Sequence, residues 1–451
     1  MSVTYPEFGE AEKHAAIAAT RFGFGLRPGE LAIIAAGPQK WLTDQLDYAD
    51  TPPEIKNLPN GPHHMKRVLE AGAGKKSTYR GFIHEAIQSG QYEAAQTALA
   101  VYNSPNPFVE RLVKFWSGHF TLSAAKLPHM APLVAAFERD AIRPYVLGPF
   151  YKMLLAVIKH PAMLAIWGND GSIGPMSDVG WDGHYRLDQT LAREIMGRYT
   201  MGPQGKFFQG DVQSLAAMLS GWTIGSLRSN NPGGFVYRDD WHQINKKRFL
   251  HRIMPEGGIL EGEAALELLT HQESTGWHLA RRMAEYFIGD APPEGLVTDL
   301  VNGYADSGGD LRSMALALIN SGYAWEDRQQ KLKTPEDLVY STFKALDVPL
   351  ADGRPLVRAM QMLGQPMLKS PPREGWPTDA TFWAGPDLLA DRVDWVVGMA
   401  RANGVQLTPP VHGIHVLGPL LTPRTFRSLT VARNNATGIA ILLSSSEFQR
   451  R

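Results

Sequence analysis

STGWHLARRMAEYF, residues Ser274 to Phe287, places Leu279, Met283 and Phe287 at four-residue spacing, opposite Arg281, Arg282 and Glu285. That is the pattern of an amphipathic helix with one face in a core, so the apolar stripe reads as packing rather than as a cofactor box. The same three- and four-residue spacing recurs on both sides of it. Upstream it predicts helices over 10–21, 30–46, 80–102, 107–120, 131–143, 187–199, 211–222 and 262–270, and downstream over 310–321, 335–346, 386–402 and 428–449. The fold class that follows is mainly α: a large irregular helical domain with long loops and at most a small β-hairpin insertion. It is expected as one domain over 1–451, with sub-regions 1–160, 161–260 and 261–451.

Three stretches interrupt the helical period. Residues 50–80 are rich in Pro, Gly and Lys and read as an exposed connection. GNDGSIGPMSDVGWDGH, Gly168 to His184, reads as a long loop, and 223–258 as a hairpin or irregular insertion. A further aperiodic segment from Gly364 to Gly385 carries Pro366, Pro371, Pro372 and Pro377, so it must be pinned by its own tryptophans.

Composition removes several function classes. Lys plus Arg and Asp plus Glu both total 45 among 451 residues, so no global field draws in nucleic acid or an anionic membrane. No apolar run reaches the roughly 20 residues of a membrane span. The absence of cysteine excludes disulfides, thiolate metal sites and cysteine nucleophiles, leaving histidine and carboxylate as metal ligands. The N-terminal sequence lacks a basic segment followed by a long apolar one, so the expected compartment is the cytoplasm, or the periplasm if the start is processed. FGFGLRPGE, Phe22 to Glu30, misses the dinucleotide-binding spacing and reads as a turn. S-A-A-K at Ser123–Lys126 lacks the partner motifs of penicillin-recognising enzymes, and neither a nucleophile elbow nor a phosphate loop occurs.

Ordered blocks carry a family resemblance over nearly the whole chain. They are RFGFGLRPGEL (Arg21–Leu31), FWSGHFTLS (Phe115–Ser123), AREIMGRYTMG (Ala192–Gly202), DVQSLAAMLSGWT (Asp211–Thr223), LLTHQEST (Leu268–Thr275) and LGQPMLKSPPREGWPTDATFW (Leu363–Trp383). In order and spacing they resemble the bacterial family known as domain of unknown function 1800. That resemblance implies a mainly helical protein, frequently encoded beside a sulfatase-like companion, and no established activity. Against the family pattern, Gln189 and Gly197 stand where acids are usual, Gln243 replaces the Asp of an H-D pair, and Gly118 replaces the Asn before His119. A family site built on acids would be incomplete here.

The polar residues of these blocks supply the site candidates. His119, in W-S-G-H-F, suits a ligand or general base, or else a histidine bonded to backbone in an aromatic core. Glu194 is a candidate base or ligand, while Arg193 and His242 could hold an anionic or carbonyl group. A capping and ion-pair network is the competing reading for the Arg193–Glu194 pair. Histidines and acids occur at no compact metal spacing, so a metal would need distant segments such as His119, Glu194 and His242. Trp116, Trp181, His184, Trp222, Trp376 and Trp383 fall in or beside irregular segments, suiting them to sugars or flat apolar ligands, or to pinning loops. The expected pocket lies between the FWSGHF helix, the REIM helix and the loops 168–184 and 223–258. Two functions follow from it: a metal-assisted hydrolase or lyase, or a non-catalytic binding protein or scaffold for a companion enzyme. No sequence motif names a cofactor.

Overall fold

Proline placement does much of the segmentation. The helices Pro107–His119, Pro161–Ile166, Pro335–Ala345, Pro386–Asn403, Pro409–Leu417 and Pro423–Thr430 all open on proline. At that position the missing N–H costs nothing and the fixed φ already suits the helix. The same physics corrects the reading of 50–80. In the computed structural model, which describes residues 4–47, 50–327 and 331–451, that stretch is largely helical: Pro53–Lys56, Gly61–Ala73 and the start of Lys76–Asn103. Asn60 caps the second of these by accepting from the His63 N–H at 3.0 Å, with Pro62 in the first turn, so turn-forming residues here start a helix rather than replace it.

The mainly α fold class holds. The 223–258 insertion contains two two-stranded antiparallel sheets, Trp222–Ile224 with Phe235–Tyr237 and Lys247–Phe249 with Arg252–Met254. Leu250 and His251 take positive φ at the turn of the second, the left-handed geometry that a two-residue hairpin demands. Other helices divide where glycine or proline intervenes: 30–46 splits at Gly37 into Glu30–Ala35 and Pro38–Gln45. Among the described residues no helix is long and apolar enough to cross a membrane.

Two apolar clusters form the interior. One gathers side chains from Ala15 to Trp325 and includes the Leu279, Met283 and Phe287 stripe. The other is built from Leu338 to Phe448 around Phe24, Ala98, Val101 and Tyr102. Asp337 links segments from across the chain: its carboxylate takes Arg111 at 3.0 Å and Arg451 at 2.9 Å, all three side chains being almost fully buried. Arg111 also donates to the Gly23 carbonyl at 2.8 Å, tying the N-terminal turn to the same point.

Three π-helical turns, Ala18–Phe22, Glu138–Ile142 and Ile195–Tyr199, each continue an α-helix directly. A π turn leaves wide-spaced carbonyls at its end and is frequent at functional sites. The third of them sits at the wall of the largest cleft.

Candidate functional site

Helix Thr190–Glu194 passes into the π turn Ile195–Tyr199 and then into a Gly-containing loop, and the last two carbonyls of that turn need donors. Two histidines from distant helices supply them. His119 Nε2 bonds the Tyr199 carbonyl at 3.0 Å, and His278 Nε2 bonds the Arg198 carbonyl at 2.8 Å. A carbonyl only accepts, so each ring carries its hydrogen on Nε2 and both Nδ1 atoms are bare. The rings lie 6.0 Å apart. Burial is the first cause that lowers both pKa values: His119 falls well below the ordinary imidazole value, with Arg282 next, and His278 to about 4. Both imidazoles are neutral at pH 7, and His119 is packed among Phe115, Trp116 and Phe120.

These contacts fix one wall of an open cleft of about 1490 Å³. The Pro107–His119 helix contributes Lys114, Phe115 and Gly118; the π turn and its exit contribute Gly197, Arg198, Met201 and Gly202; the Glu273–Phe287 helix contributes Trp277, His278, Arg282 and Glu285; and the 364–385 segment contributes Glu374, Trp376 and Thr378. The expected loops 168–184 and 223–258 do not line it. They pack on each other instead, through Gly174 N–H to the Trp241 carbonyl at 2.8 Å and Val179 N–H to the Asp240 carbonyl at 3.1 Å. Gln243 takes part in that packing, receiving the Met176 N–H at 3.1 Å.

The polar centre of the cleft is a pair of guanidinium groups. Arg198 Nη2 is buried without a hydrogen-bond partner. Arg282 makes no hydrogen bond or ion pair among the described residues, and burial, then the Arg198 charge, push its guanidinium down to about 10. Of the other cations lining the cleft, Lys114 is matched by Glu138 at 3.1 Å and Glu336 at 3.5 Å and Arg281 by Glu294 at 2.7 Å, while the exposed Lys206 makes no ion pair among the described residues. The carboxylates Glu273, Glu285 and Glu374 share the lining, and burial raises the Glu285 pKa. A desolvated pair of unpaired cations is an electrostatic deficit that an anion would fill.

A family model described as "Protein of unknown function (DUF1800)" matches residues 17–450. The chain belongs to this family. No curated protein and no solved structure matches it.

Within this DUF1800 chain the sequence-derived candidates scatter. Glu194 lies behind the cleft, 3.8 Å from Arg373, its pKa raised by burial. Arg193 is exposed and donates to Gln209 at 3.2 Å, which in turn donates to Gln189 at 2.7 Å. His242 belongs to a separate buried cluster: Nδ1 bonds the Ser220 carbonyl at 3.0 Å, while Nε2 lies 3.4 Å from Glu261, which Lys247 also meets at 2.6 Å. Among the described residues no group of three or more His, Asp or Glu is placed to hold a metal ion.

Of the aromatic candidates, Trp376 lines the cleft, and Trp383 supports it from 5.9 Å while donating to the Pro377 carbonyl at 2.7 Å. Trp116 and Trp222 are fully buried core residues. Trp181 and His184 stand exposed on the 168–184 loop. Sequence reasoning missed Arg198, Trp277, His278 and Arg282 as a group. Their signal was present in the polar face of the Ser274–Phe287 pattern, but which element that face would meet is a tertiary fact.

Proposed function

We propose that the cleft binds a small organic anion of low charge, without an assigned chemical step. The observation that carries this reading is the placing of Arg198 and Arg282 in the lining of one cleft, where neither makes an ion pair within 4 Å and Glu194 and Glu285 act on them only at longer range. An anion bridging them would form charge-assisted, potentially bidentate hydrogen bonds, the geometry guanidinium offers best. Trp277 and Trp376 give the cleft flat apolar walls suited to a ring or hydrocarbon portion. Glu273, Glu285 and Glu374 in the lining favour a singly charged ligand over a polyanion. The binding reading is preferred to a metal-assisted hydrolase or lyase because His119 and His242 are buried in separate clusters and neither they nor Glu194 line the cleft.

The test is thermal unfolding with phosphate, sulfate and benzoate. A ligand at about 100 times its Kd stabilises the fold by roughly 2.7 kcal/mol, a measurable rise in Tm. Arg198→Gln and Arg282→Gln are expected to abolish the shift, and Arg281→Gln, already engaged by Glu294, to leave it intact. If no anion raises Tm, or if Arg282→Gln responds like the parent protein, the reading fails.

A further inference from the structure

Beside the cleft lies a second, smaller space of about 190 Å³. Its lining is mostly apolar by area and includes Leu122, Val134, Phe137, Met360 and Leu368, with polar side chains among them, Glu138 and Glu336 included. The two spaces share Lys114, Gly118, Tyr286, Trp376 and Thr378. Gly118 is the notable one among these. It sits in the last turn of the Pro107–His119 helix, and a Cβ built on it would meet no heavy atom within 4 Å. Neighbouring glycines behave oppositely: a Cβ on Gly202 would strike the His278 ring, and one on Gly375 would meet Thr121 Oγ1 at 2.5 Å. The missing side chain at 118 therefore leaves open space where the chamber meets the cleft, rather than accommodating a tight contact.

The charge at this junction is balanced. Lys114 is held between Glu138 and Glu336, so no free cation faces the chamber from the shared wall. A cavity of about 150 Å³ with an apolar lining is large enough to take up benzene. A space of about 190 Å³ thus has room for one phenyl-sized group.

We propose that the ligand of the cleft is an amphiphilic monoanion whose apolar end, up to the size of a phenyl ring, passes Gly118 into the inner chamber while its anionic end is held by Arg198 and Arg282. This inference rests on the anion-binding reading above and extends it by naming the class of ligand. The cleft supplies charge recognition and the chamber sets the size of the hydrocarbon, with residue 118 as the selector between them.

Calorimetric titration at about pH 5, where all three are monoanions, with inorganic phosphate, methyl phosphate and phenyl phosphate separates the two ideas. Each buried methylene-sized increment is worth about a three- to fourfold gain in affinity, so phenyl phosphate should bind at least about tenfold tighter than inorganic phosphate. In Gly118→Leu, whose side chain would occupy the junction, the ratio of phenyl phosphate affinity to inorganic phosphate affinity should fall to about one. Gly118→Ala should lose part of the preference and serves if the leucine variant does not fold. Arg282→Gln should lose all three ligands. Failure of the parent protein to bind any of them would overturn the anion reading itself. Binding of phosphate with no added affinity for the phenyl ester, or a phenyl preference that survives in Gly118→Leu and Gly118→Ala, would overturn the chamber alone.

Discussion

Lowering the pH from about 7 to about 4 should destabilise the protein through His278, by an amount the structure allows to be worked out. The unfolded imidazole takes up a proton near its ordinary pKa of 6.5, whereas in the fold burial holds that value down at about 4. Above 6.5 both states are neutral and the full stability is present. As pH falls, the unfolded state is protonated first, so stability drops between about 6.5 and about 4 and then levels off. The difference, multiplied by about 1.4 kcal/mol per pKa unit, comes to about 3 kcal/mol. His119, His160 and His412, also lowered by burial, act in the same direction. Glu194, Glu285 and Glu336, raised by burial, act against it. Urea unfolding of the parent protein and His278→Gln, followed by tryptophan fluorescence across this range, isolates the one residue. Glutamine retains a donor for the Arg198 carbonyl but does not titrate. The parent protein should lose about 3 kcal/mol more than the variant by about pH 4. A gap between the two that stays constant with pH would refute the assignment of a neutral, desolvated imidazole.

Asp337→Asn should cost about 3–5 kcal/mol, because it strands the buried Arg111 and Arg451 guanidinium groups that now share one carboxylate. Calorimetric unfolding within about 1 kcal/mol of the parent would contradict that role. Gly202→Ala should destabilise by at least about 1–2 kcal/mol, since φ is +75° there and the new methyl would press on His278 Nδ1. The same variant should lose the anion-induced rise in Tm. Gly118→Ala should instead be neutral or gain about 0.5–1 kcal/mol, as alanine is the better helix residue and has room. Equal urea midpoints for these two alanine variants would count against the described geometry of the cleft.

The helical class was legible because its signal is local. The Leu279, Met283 and Phe287 stripe is buried as its spacing predicts, and the four strands among the described residues lie in or at the edge of the aperiodic 223–258 stretch, the first beginning at Trp222. What misled was punctuation: Pro53, Asn60 and Pro62 were read as loop, yet they start helices, because proline and asparagine serve turns and first turns alike. The site was less legible for a different reason. His119 stands in an aromatic string that suits a base or a backbone-bonded core histidine alike, and only the fold shows that its Nε2 meets the Tyr199 carbonyl. Arg282 looked like an ordinary surface charge on a polar face; only the packing of that face against the π turn leaves it desolvated and without a partner. Trp222 and Trp376 are both flanked by irregular chain, and nothing in their neighbours distinguishes the buried one from the one that lines a cleft.

The two histidine caps also dictate an order of assembly. The carbonyls of Arg198 and Tyr199 find their donors 80 residues ahead and 80 residues behind in the chain. No local sequence can close that turn, so its wide geometry becomes stable only once three remote helices have met, and such long-range closure comes late in folding. During synthesis the wall of the cleft cannot exist until the Glu273–Phe287 helix has emerged and docked. The wall of the cleft is therefore a reporter of completed folding: a chain in which it has formed has already brought its first, middle and later segments into register.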